Sequence, residues 1–151
     1  MPADVRLTPH FFLSQFTVSP HAGRAGMRNA PLAAQVENLR RLAYTLELVR
    51  GHLNGCPVYL LRAFRQLGPG IDAALIPAAD GRSAEFIAPD FGTPRQICAH
   101  LVAQGLAFDR LVDAGEWVQL DISRHGHPPR GRLCTGVFEF GRPMRELEGL
   151  V

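Results

Sequence analysis

The sequence predicts an α+β fold, with a small, mostly antiparallel sheet and two main helices packed on it. Three observations lead there. An apolar stripe at helical spacing runs from residue 32 to 53, a second helix opens at Thr93-Pro94, and the last third of the chain alternates as strands do. At 151 residues, 46% hydrophobic and 20% charged, the chain has the makeup of one folded domain, not of a disordered tail, a coiled coil or a collagen-like fibre. It is read as a single domain over 1–151, with a loop-rich lead-in at 1–31, a core at 32–141 and a C-terminal tail at 142–151.

The lead-in carries Phe11-Phe12-Leu13 and Phe16, too apolar for a free tail, and Ser14 is placed to cap one short helical turn. Leu32, Val36, Leu39, Leu42, Ala43, Leu46, Val49 and Leu53 then recur at spacings of three and four, with charged residues between them, which predicts an amphipathic helix. Asn29 is its expected cap, and Gly51 or Gly55 its end. Val58 to Phe64, introduced by Pro57, reads as a buried strand. Residues 66–81 read as a long connecting loop, and Glu85-Phe86-Ile87 as a short strand. The helix opened by Thr93-Pro94 runs to Gly105 and turns Ile97, Leu101 and Val102 inward. Leu111-Val112 is one later strand and Trp117 to Ile122 another. In the latter, Val118, Leu120 and Ile122 share one face, while Trp117, Gln119 and Asp121 share the opposite one. Thr135 to Phe140 is the last strand expected.

No apolar run approaches the roughly 20 residues of a membrane span, and no secretory leader opens the chain, so the expectation is a soluble protein, cytoplasmic at synthesis. The net charge of +2 is too small for a dedicated nucleic-acid binder. All sixteen basic residues are Arg. Cys56, Cys98 and Cys134 form no paired motif, which argues against a disulfide framework and a thiolate zinc site.

Several segments together resemble a known family. Phe11-Phe12-Leu13-Ser14-Gln15-Phe16-Thr17, then Met27-Arg28-Asn29-Ala30-Pro31 and Asn38-Leu39-Arg40-Arg41-Leu42, are similar to the opening of the zinc D-alanyl-D-alanine carboxypeptidases and endopeptidases, of the Hedgehog/DD-peptidase fold, in their short phage and prophage form. Pro57-Val58-Tyr59-Leu60-Leu61-Arg62-Ala63-Phe64-Arg65 lies where the family has P-V-x-I-x-S-G-Y-R. Gly81-Arg82-Ser83-Ala84-Glu85-Phe86 resembles the end of the S-x-H-x-x-G-x-A-x-D signature, and Trp117-Val118-Gln119-Leu120 resembles the W-V-H-V strand. The likeness covers residues 10 to 122.

The resemblance implies a tetrahedral Zn²⁺ held by two histidines and an aspartate, with an activated water in the fourth position. Carried over, the three ligand positions are Ala78, Glu85 and Gln119. A methyl group has no lone pair and a carboxamide is a poor zinc ligand, so only Glu85 retains a donor suited to the ion. No histidine lies between His52 and His100 to take the missing place. Of the motif Ser-Gly-Tyr-Arg only Arg65 is kept, expected either to bind a substrate carboxylate or to pair with Glu85 or Asp121 in place of the metal.

These departures lead to the expectation of no catalytic residues, no metal and no cofactor, in a pseudoenzyme that serves a phage virion or prophage-derived assembly as a structural or binding component. The expected binding residues are Arg65, Glu85, Trp117, Gln119, Asp121, Arg124, Arg130 and Arg132. The expected partners are proteins of a larger assembly, with peptidoglycan second, nucleic acid less favoured, and no membrane. Two alternatives stand beside this reading. One is a peptidoglycan peptidase with an altered metal site, zinc or an oxygen-rich cluster of Glu85, Asp121, Asp80, Asp113 and Glu116 suited to Ca²⁺ or Mg²⁺. The other is a nucleic-acid-binding accessory acting through the basic loop from Arg124 to Arg132, in which His125 and His127 supply at most half a metal site.

Overall fold

The computed structural model describes residues 4–17, 29–66 and 76–151. Its longest element is the helix expected from the apolar stripe, Ala33–His52 (α2), which buries Leu39, Leu42, Ala43, Leu46 and Val49. The start differs from expectation. Leu32 precedes the first turn with its N–H donated to Gln35 Oε1 at 2.7 Å. Asn29 instead ties three segments together: its Nδ2 donates to the carbonyls of Thr17 and Phe64, and its Oδ1 accepts from the Gln66 N–H at 2.9 Å. The helix ends at His52 with Leu53 as its cap, past Gly51 and short of Gly55, and Gly55, at φ 77°, closes the following turn by returning its N–H to the Arg50 carbonyl.

Ahead of α2, β1 (Arg6–Thr8) and β2 (Phe11–Phe12) form a small ribbon, followed by the short helix α1 (Leu13–Thr17). Leu7, Phe11 and Phe16 are buried in the same core as α2. Those three apolar side chains are the described part of the lead-in that reaches the core. Residues 18–28 lie outside the described residues, as do 67–75, most of the expected loop at 66–81. The last part of that loop is a short helix, α3 (Pro77–Asp80), closed by Gly81 at φ 79°. A Cβ on Gly81 would stand 2.7 Å from the Gln35 carbonyl oxygen, so glycine is what lets this turn press against α2.

The main sheet has six strands in the order β3-β4-β6-β5-β7-β8, with β3 at Tyr59–Arg62, β4 at Ser83–Ile87, β5 at Arg110–Asp113, β6 at Val118–Asp121, β7 at Arg132–Val137 and β8 at Arg145–Glu148. It is larger than expected, and mixed, because β7 runs parallel to β5. The C-terminal segment accounts for the added strand. Residues 142–151, read as a tail, supply the outer strand β8, and the last expected strand starts three residues earlier, at Arg132, leaving Phe138 and Phe140 exposed. β3 is also not the buried strand expected. It is an edge strand with Tyr59 and Leu61 exposed, and only the flanking Val58, Ala63 and Phe64 are buried.

Helix α4 (Pro94–Ala103) is capped by the Thr93 hydroxyl, which accepts from the Gln96 N–H. It buries Ile97, Cys98 and Leu101, while Val102 points outward, against expectation. One face of the sheet (Ala84, Phe86, Leu111, Val118, Leu120) closes with α2 and α4 into the core. The opposite face carries the polar residues described next.

Candidate functional site

The alternation along β6 puts Val118 and Leu120 into the core and Gln119 and Asp121 on the open face. Strand register then fixes their neighbours. Glu85 on β4 stands directly opposite Gln119, Ser83 opposite Asp121, Arg62 on β3 beside Glu85, and Arg110 on β5 beside Asp121. Two of the three positions that the resemblance singles out, Glu85 and Gln119, are thus cross-strand partners.

The third, Ala78, lies on α3, and its carbonyl accepts the Arg65 N–H at 3.1 Å.

What these side chains do was only partly anticipated. The Glu85 carboxylate is taken by Arg62 Nε, not by Arg65. The Arg62 guanidinium also lies 5.0 Å from the centre of the Trp117 ring, a cation–π distance. The Asp121 carboxylate, 2% exposed, receives Arg110 Nε at 3.0 Å on one oxygen and Gln119 Nε2 at 3.2 Å on the other. Arg110 continues to Glu146 on β8. Arg65 is exposed and joins neither acid, which corrects the expected pairing. The missed residues, Arg62 and Arg110, each belong to a strand whose sequence looks apolar. Their signal is a charge at the end of that strand in register with an acid on the next one.

Trp117 is half-buried, with Phe138 edge-on at 5.6 Å, and its Nε1 is buried without a hydrogen-bond partner among the described residues. The oxygen cluster suited to Ca²⁺ or Mg²⁺ does not assemble. Asp80 is held by Arg82 at 2.6 Å. Asp113 pairs in register with Val118, on the core side, and accepts the Gly115 N–H. Glu116 is exposed in the turn before β6. Among the described residues, no three His, Cys, Asp or Glu side chains come together as a metal site.

The basic loop is divided among several partners. Arg130 forks onto Asp109, with Nη2 to Oδ2 at 2.8 Å and Nε to Oδ1 at 3.1 Å. That bonding holds the Asp109 carboxyl below its ordinary range against the opposing effect of burial, and it raises the arginine. Arg132 pairs with Glu148 at 2.6 Å, on the sheet. Arg124 is left with no side-chain partner among the described residues. His125 and His127 lie on a turn closed by the His127 N–H to the Arg124 carbonyl, and they line different clefts.

The three cysteines are free. Burial, with Asp113 adding to it, pushes the Cys98 thiol up to about 12, and burial also raises Cys134. Neither thiol is prepared for nucleophilic work.

No helix among the described residues is long and apolar enough to cross a membrane. No family model matches the chain, and no curated protein or solved structure matches it significantly.

Proposed function

We propose that this chain is a non-catalytic relative of the zinc D-alanyl-D-alanine peptidases, kept as a structural or binding component of a phage virion or prophage-derived assembly. One observation carries the loss of catalysis: the carboxylate left at the ligand positions, Glu85, is spent on Arg62. Gln119, opposite it, gives its amide to Asp121, which Arg110 already neutralises. A cation entering there would meet two guanidinium groups before any free lone pair, and Coulomb repulsion adds to the poor donor set. Without a bound ion no water is activated for amide cleavage.

The placement in an assembly comes from the resemblance alone, since the short form of the family is typical of phage and prophage genomes. Its partners are then proteins of that assembly, met through the open sheet face. The test is incubation of the full chain with cell-wall peptides and added zinc, alongside mass spectrometry of purified particles from the source strain. No release of D-alanine or of cleaved cross-links, with the chain found in the particles, is the expected result. Zinc-dependent cleavage would instead establish a working peptidoglycan peptidase.

A further inference from the structure

A cleft of about 650 Å³ opens between α2 and the loop after β6, with Glu37, Asn38, Arg41, Asp80, Arg124 and His125 on its walls. Its two arginines and two acids do not pair with one another. Asp80 is engaged by the buried Arg82 at 2.6 Å. Glu37 lies 3.7 Å from Arg40, which is not part of the wall. Both carboxylates therefore have cations of their own. Among the described residues Arg41 bonds only neutral acceptors, with Nη2 to the Ser123 carbonyl at 3.0 Å and Nη1 to Asn38 Oδ1 at 3.4 Å. The Arg124 side chain bonds nothing among the described residues. Two guanidinium groups that form no ion pair among the described residues thus face one cavity, and the Ser123 carbonyl and Asn38 hold one of them in place before any ligand arrives.

We propose that this cleft binds a small phosphorylated ligand of about mononucleotide size, its phosphate received between Arg41 and Arg124. Guanidinium forks match phosphate oxygens, and two of them suit a dianion better than a single carboxylate. The volume lies within the usual range for small-molecule pockets, about 300–1,000 Å³, and exceeds what bare phosphate fills. Ala34 and Asn38 on α2 leave an uncharged wall for the remainder of the ligand. The cleft lies beside α2, away from the open face that carries Glu85 and Gln119, so this inference does not depend on the proposed loss of catalysis.

The test is calorimetric titration of the full chain at low salt with adenosine monophosphate, inorganic phosphate and adenosine. Saturable binding of the monophosphate, weaker binding of phosphate and none of adenosine are expected. Arg124→Gln removes a side chain that braces nothing, so it should leave the fold intact and weaken the monophosphate by about tenfold or more, the scale of a lost charge-assisted contact. Arg41→Gln should do the same, and the Arg124 variant decides the matter if Arg41→Gln unfolds. Three results would overturn the proposal. These are no saturable binding of either phosphate compound at millimolar concentration, unchanged binding by Arg124→Gln, or far tighter, salt-sensitive binding of duplex DNA, which would make this a nucleic-acid surface.

Discussion

Arg62 and Glu85 face each other across β3 and β4, and the same guanidinium that holds the Glu85 carboxylate rests on the ring of Trp117. The pair is partly exposed, at 56% and 24%, so its worth to stability is small, about 0–1 kcal/mol. Its consequence is occupancy, because the carboxylate at the resemblance's ligand position is already neutralised.

Trp117 is the sole tryptophan and so reports on this pair directly. Arg62→Ala should change the intensity and wavelength of its emission while leaving the unfolding midpoint almost unmoved. An unchanged spectrum would mean that the guanidinium does not sit on the ring in solution.

Asp121 is the more demanding acid of the open face. It is 2% exposed and its carboxylate is paired with Arg110 at 3.0 Å. Arg110→Ala should destabilise the fold by about 3 kcal/mol in chemical denaturation, since it strands a buried carboxylate. Adding Asp121→Asn should recover part of that loss. Equal destabilisation in the single and double variants would contradict the coupling.

The fold was legible where one residue type repeats at one period. The α2 stripe and the two faces of β6 follow directly from side-chain spacing, as does the Thr93 cap from a residue pair. Strand order was not legible, because parallel pairing of β7 with β5 depends on contacts far apart in sequence. β8 was missed for a related reason. Arg145-Glu146-Leu147-Glu148 is mostly charged, as an edge strand often is, and reads as a tail until Glu146 and Glu148 are seen to meet Arg110 and Arg132. At the site, the cross-strand placement of Glu85 and Gln119 was implicit in the two motifs, but the competition of Arg62 and Arg65 for one carboxylate was decided by register alone.

The Asp109–Arg130 fork sets an acid limb. Folding lowers the Asp109 pKa, so its contribution is fully present above the unfolded carboxylate value of about 3.9 and is lost as pH falls through the lower folded value. Asp109→Asn should therefore be less stable than the parent near neutrality, and the gap should narrow below about pH 4. A constant gap from pH 7 to pH 3 would show that the charge is not what stabilises.

The thiols should divide by burial. At pH 8 in the native state, Cys56, partly exposed, should be alkylated by iodoacetamide, while Cys98 and Cys134 react only after denaturation. Mass spectrometry of the alkylated peptides reads this. Native modification of Cys98, whose thiol is raised to about 12, would contradict its buried setting.

Metal content bears most directly on the proposed loss of catalysis. Protein purified without added zinc, then dialysed against it and measured by plasma emission, should carry well under one equivalent per chain, because Arg62 and Arg110 already neutralise the acids of the open face. A full equivalent of tightly held divalent ion, lost in Glu85→Ala, would contradict it.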